Sequence, residues 1–151
     1  MKLARRDKWD VICGGVNALH RKEDETSLRW IYDAYAEERL TLDKRRADPF
    51  ACFTTQNFMA RRTVFDTVRF DENIHRYGYE DALFGISLEK HKFRLRHTSN
   101  PVEHLGIEPN DVYVGKTEQA LETLFDLGEP MTSRARVSVA VTNLRRKHLL
   151  W

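Results

Sequence analysis

The segment Asp10-Val11-Ile12-Cys13, followed at once by Gly14-Gly15, constrains the fold more than any other feature. A short apolar run halted by two glycines reads as a short buried strand. A second short extended stretch follows over Val16 to His20. Phe93-Arg94-Leu95-Arg96-His97 alternates apolar and polar, as a half-buried strand does. Pro101 to Leu105 is another short strand, closed by Gly106. Phe50 to Ala60 is aromatic-rich and also reads as strand.

Helical periods lie between these strands. Thr26-Ser27 can cap a helix beginning at Leu28. Leu28, Ile31, Tyr32 and Tyr35 share one face, which is expected to turn inward, and Arg29, Asp33 and Glu37 lie opposite. The run Asp43-Lys44-Arg45-Arg46, before Pro49, reads as a solvated loop or helix face. Arg61-Arg62 opens a short helix through Val68, with Phe65 and Val68 facing the core. Phe70 to Asn73 forms a turn. Glu80 to His91 is the next helix, with Phe84, Leu88 and His91 along one side. Asn110 or Asp111 caps a helix to about Leu127, whose apolar side is Val114, Leu121, Leu124 and Phe125; Gly128 and Pro130 break it. Met1 to Asp10 looks like the tail of a helix. The fold class is therefore α/β (α+β mixed), with short strands and flanking helices. Residues 1–127 form one unit, and 128–151 form a basic amphipathic C-terminal helix with Val137, Val141, Leu144, His148 and Trp151 on one stripe.

The 151 residues suffice for one core. A net charge of +2, from 25 Lys+Arg and 23 Asp+Glu, does not argue for a nucleic-acid binder. No apolar run reaches the roughly 18–20 residues of a membrane span. The charged start, Met1 to Trp9, is no secretory signal. Cys13 and Cys52 lack metal or redox spacing and read as free thiols of a reducing cytoplasm.

Chemistry can be sought at three places. In Tyr77-Gly78-Tyr79-Glu80-Asp81, two acids open a helix, where unpaired N–H groups favour the ionised carboxylate. Such a carboxylate between aromatic walls can accept a proton from a hydroxyl, and the tyrosines can stack on a sugar ring. The same acids can simply be helix caps. In Asn100-Pro101-Val102-Glu103-His104-Leu105-Gly106, His104 ends a strand beside a glycine. Its imidazole can ligate a divalent metal, or it can be a structural histidine. In Phe53-Thr54-Thr55-Gln56-Asn57-Phe58, small polar side chains can bind a hydroxyl-rich ligand or the backbone of a neighbouring loop. Gly14-Gly15 lacks the spacing of a phosphate loop.

Taken in order, these segments resemble the C-terminal half of family-two glycosyltransferases, especially the bacterial galactosyltransferase-like branch. The string runs from Asp10-Val11-Ile12-Cys13-Gly14-Gly15 through Leu28-Arg29-Trp30, Phe53-Thr54-Thr55-Gln56-Asn57-Phe58-Met59 and Phe70-Asp71-Glu72. It continues through Tyr77-Gly78-Tyr79-Glu80-Asp81 and Asn100 to Gly106, and ends near Lys116-Thr117-Glu118. The resemblance implies part of a glycosyltransferase-A-type nucleotide-diphospho-sugar transferase fold. It implies Asp81 as catalytic base, Glu80 on the acceptor hydroxyls and Tyr77 stacked on the acceptor sugar, with Gly78 and Tyr79 beside it. It further implies Asn57 and Gln56 in the sugar pocket and His104 as ligand of a divalent metal, Mn or Mg. The reaction would be inverting transfer from a nucleotide-sugar donor to a carbohydrate or lipid-linked acceptor. The family's Asp-x-Asp motif is not in this sequence. The expectation is half an enzyme, weak or inactive alone, that self-associates or meets a partner chain.

Two other readings stay open. One is a non-catalytic carbohydrate-binding or assembly module. The other is a nucleic-acid or membrane-surface protein using residues 133–151. A cytoplasmic location, peripheral to the inner membrane face, fits the resemblance.

Overall fold

The computed structural model describes residues 8–18, 26–128 and 131. The expected helix tail before residue 8 and the basic segment 133–151 lie outside the described residues.

The fold is mixed α/β with short strands. Strands β1 (Val11–Cys13) and β2 (Val16–Ala18) are separated by the two glycines, and β4 (Leu95–His97) and β5 (Val102–His104) run parallel beside them. The backbone bonds continue across the interruption: Thr98 N–H donates to Cys13 O at 2.9 Å, and Asn100 N–H to Gly14 O at 3.3 Å. The ribbon bends here because Gly15 takes φ +98°, a conformation that side chains resist. Strand β3 (Phe58–Ala60) pairs antiparallel with the other edge of β1, giving the order β3-β1-β4. Asp10 pins the entry to β1, its carboxylate accepting from Arg94 N at 2.8 Å and Arg94 Nε at 3.0 Å.

Among the described residues, five helices surround these strands. They are α1 (Leu28–Arg39), α2 (Leu42–Ala47), α3 (Arg62–Phe65), α4 (Glu80–Lys90) and α5 (Asn110–Leu127). Ser27 caps α1 by accepting from Trp30 N–H, and Thr41 caps α2 by accepting from Lys44 N–H. The core gathers Val11, Cys13, Phe53, Val64, Val68, Phe84, Leu88 and Leu95. Phe84, on α4, is its hub: Phe70 stacks on it at 4.4 Å between centroids, with Phe53 and Phe65 tilted against it. Burying that one ring stabilises by about 1.5–3 kcal/mol. Cys13 and Cys52 are free thiols, as expected.

Several elements differ from the sequence reading. The extended segment over 50–60 shrinks to β3, because Asp48 starts a turn: its carbonyl accepts from Cys52 N–H and its carboxylate from Ala51 N–H. Phe53 then enters the core from that turned segment. Helix α5 begins after Pro109 with no side-chain cap. Asn110 instead turns to α1, accepting from Leu28 N–H at 2.8 Å and donating to Thr26 O. His91 lies exposed at the end of α4. The largest difference is the orientation of α1. Its apolar face points outward, with Ile31 48% and Tyr32 56% exposed, and its polar face points in. Glu37 accepts the N–H of buried Ala18 at 2.8 Å. Among the described residues, no helix is long and apolar enough to cross a membrane.

Candidate functional site

The inward polar face of α1 meets the Tyr77–Asp81 loop, the end of β5 and the start of α5. Two contacts with α5 set the loop. Thr123 Oγ1 donates to Tyr77 O at 3.1 Å, and Gly78, at φ +101°, lies so close to Ala120 that a Cβ would sit 2.8 Å from Ala120 Cβ. Tyr79 follows in the left-handed region at φ 69°, costly for a residue with a side chain. This pair of unusual conformations turns the chain into α4 and fixes where Glu80 and Asp81 emerge.

The two acids then part company. Glu80 is exposed, whereas Asp81 is half-buried. Burial first, and the neighbouring Glu80 charge second, raise the Asp81 carboxyl to about 6. Ala82 N–H donates to Asp81 Oδ1 at 2.7 Å and partly opposes that rise. The surroundings are aromatic. Although Tyr32 is 56% exposed as a whole residue, its phenol end is crowded enough that, like that of Tyr79, it is pushed up chiefly by burial and in part by the Asp81 charge. Tyr32 also meets Tyr113 of α5 at 6.2 Å between centroids. Tyr77 carries the Lys116 ammonium 5.5 Å from its ring centroid, so one face of that ring is occupied.

His104 reaches the same place through α1. Its Nδ1 lies 2.9 Å from Asp33 Oδ2, which also accepts from Arg29 Nε at 3.0 Å. Donation from Nδ1–H to that carboxylate leaves Nε2 with a free lone pair, the tautomer in which histidines ligate metals. Gly106 keeps that nitrogen uncovered, since a Cβ there would stand 3.1 Å from it. Arg29 also bonds Tyr77; burial lowers its pKa, but the pairing with Asp33 and Tyr77 outweighs this and raises it. Arg29 and Asp33 thus tie Tyr77 and His104 into one cluster, and Tyr32 lies near enough to feel the charges of Arg29, Asp33 and Asp81. Among the described residues, no three His, Cys, Asp or Glu side chains gather as a metal site. His104 fits as one ligand, and the described residues offer no complete set there.

The polar row of residues 53–58 divides. Both amide donors of Asn57 go to backbone, to Gly15 O at 2.8 Å and Asn100 O at 2.9 Å. They clip the bend between β1 and β2, which is the second of the two roles open from sequence. Gln56 and Thr54 instead line a cavity of about 400 Å³ that runs along α1 from Arg29 and Asp33 to Arg45 on α2.

Sequence reasoning singled out Asp81, Tyr77 and His104 but not Arg29, Asp33, Tyr113 and Arg45, which the fold places beside them or along the same cavity. An Arg and an Asp four apart on a helix read as an ordinary surface pair. Only the side of the helix on which they were buried could have marked them. No family model, curated protein or solved structure matches this chain.

Proposed function

We propose that this chain is the acceptor-side half of an inverting glycosyltransferase, built on part of a glycosyltransferase-A-type fold. The observation that carries the reading is Asp81: a carboxyl raised to about 6, set at the first turn of α4 among tyrosines. A base with that pKa is ionised at neutral pH and strong enough to take a proton from a hydroxyl as it attacks. In the reaction the acceptor oxygen bonds to the anomeric carbon of a nucleotide-sugar while Asp81 accepts the hydroxyl proton. The bond to the diphosphate breaks on the opposite side, and its electron pair leaves with the nucleotide. Glu80 and Tyr79 contact the acceptor, and Tyr77 offers it the ring face that Lys116 leaves open. A divalent cation, Mn or Mg, would take His104 Nε2 as one ligand and neutralise charge on the departing diphosphate. The donor half, including an Asp-x-Asp pair, would come from outside these 151 residues, which hold no such pair.

The test is transfer from UDP-sugars in the presence of Mn²⁺, assayed on the chain alone and with candidate partner chains. Asp81→Asn should lower transfer by about 10²–10⁴-fold with the circular-dichroism spectrum unchanged. Retained turnover in that variant removes Asp81 as the base.

A further inference from the structure

The cavity beside α1 contains a cation that no described carboxylate neutralises. Arg45 comes from α2, in the charge run that reads from sequence as a solvated face. Its Nε donates to Leu40 O at 3.1 Å, and its Nη1 lies 3.2 Å from His97 Nδ1. That imidazole is no counter-ion. His97 is 1% exposed, and its Nε2–H donates to Pro49 O at 2.9 Å, so Nδ1 is the acceptor and the ring is neutral. Burial, with the Arg45 and Arg46 charges adding to it, holds its pKa down. No carboxylate pairs with Arg45 among the described residues. The guanidinium packs against Gly15, where a Cβ would come within 2.8 Å of it, so the glycine makes room for the charge.

The cavity wall around this charge mixes apolar side chains with polar ones that the fold leaves uncommitted. Asn17, Thr54, Gln56 and Ser99 all line it, and none of their side chains bonds to another described residue. Its two acids are engaged: Asp33 with Arg29 and His104, and Glu37 with the Ala18 N–H. One guanidinium held by two neutral acceptors, with no carboxylate partner among the described residues and facing uncommitted hydroxyls and amides, matches a small molecule with one oxyanion and several hydroxyls.

We propose that this cavity binds a sugar carrying a carboxylate or phosphate, with Arg45 taking the anionic group and Asn17, Thr54, Gln56 and Ser99 taking the hydroxyls. The cavity shares Arg29 and Asp33 with the Asp81 site. Read together with the proposed transfer, which this clause rests on, it makes one of the two sugars an acidic one. The binding itself is tested without any turnover.

Amide shifts of the full chain are followed by ¹H–¹⁵N NMR during titration with glucuronate, glucose 6-phosphate, glucose and inorganic phosphate. One of the acidic sugars should shift Gly15, Val16 and Asn17 saturably, and which one does so separates carboxylate from phosphate. Glucose and inorganic phosphate should each bind about tenfold more weakly, the scale of a charge-assisted bond. Arg45→Gln should lose about tenfold for the acidic sugar and nothing for glucose. Gln56→Ala and Ser99→Ala, which remove no bond of the fold, should weaken the acidic sugar but not inorganic phosphate, and they decide the matter if Arg45→Gln unfolds. The proposal is overturned if neither acidic sugar moves those amides, or if glucose or inorganic phosphate binds as tightly as the acidic sugar that does. A failure here with an intact Asp81 dependence of transfer leaves the proposed function standing.

Discussion

At the scale of a residue, Asp81 sets chemistry against stability. Its carboxyl is held at about 6, against an ordinary 3.8, mainly because burial penalises its charge. The penalty is absent while the group is protonated in both states, below about pH 4. It grows as pH rises and is complete above about 6. Ionised Asp81 therefore costs the folded state about 2–3 kcal/mol at neutral pH, at about 1.4 kcal/mol per unit. Asparagine keeps an acceptor for Ala82 N–H and carries no charge. Asp81→Asn should thus raise the melting temperature at pH 7 and show no gain at pH 4. A variant that melts at or below wild type at pH 7 would mean that the carboxylate is satisfied where it stands. The functional counterpart is a transfer rate that falls as pH drops below about 6. The sequence made this residue legible because a glycine, aromatics and two acids at a helix start form a local pattern. That pattern alone did not distinguish Asp81 from Glu80, which only the resemblance separated, since the difference depends on which carboxyl the helix turns toward Tyr32 and Tyr79.

At the scale of an element, local signals placed the strands and caps well. Gly14-Gly15 ended β1, Ser27 capped α1 and Gly106 followed β5 as read. The helical period of α1 was also legible, but a period defines two faces without saying which one is buried. Apolar residues usually decide that. Here they do not, because Arg29, Asp33 and Glu37 find specific partners on β5 and β2, and sequence reasoning fails at the candidate site for that reason. The turn at Asp48 was missed because aromatic density over 50–60 masks a side-chain-to-backbone bond. Helix α5 offers the clearest test of how elements position the site. Gly78→Ala should destabilise through two separable effects, the strain of φ +101° and the collision with Ala120. We expect a loss of at least about 2 kcal/mol, measured by urea unfolding. Adding Ala120→Gly should recover the collision part and leave the backbone part. Full recovery would mean that the left-handed backbone there carries no strain, and no recovery that α5 does not limit the loop.

At the scale of the molecule, three titrating groups on different elements shape acid stability with opposite signs. Asp10 is depressed, first by the Arg94 side-chain bond, so its contribution is complete above about pH 4 and fades below it. His97 is also depressed, first by burial, so its contribution is complete above its ordinary 6.5 and is withdrawn as pH falls. Asp81 runs the other way and returns stability over the same interval as it protonates. Between about pH 6.5 and 4 the wild-type chain should therefore lose less stability than His97 alone would dictate. Asp81 and His97 have no described bonding partner in common, so their effects should add. Removing the Asp81 term should steepen the decline below pH 6.5. Replacing His97 by Gln, which can still donate to Pro49 O and accept from Arg45, should flatten it. Melting temperatures from pH 4 to 8 for wild type, Asp81→Asn, His97→Gln and the double variant give four curves to compare. If His97→Gln declines as steeply as wild type, the acid-labile group lies elsewhere, and Arg45 then faces an imidazole that charges without cost. A flattened His97→Gln curve would fix that ring as neutral through the physiological range, which is the state in which Arg45 keeps its whole charge for the cavity.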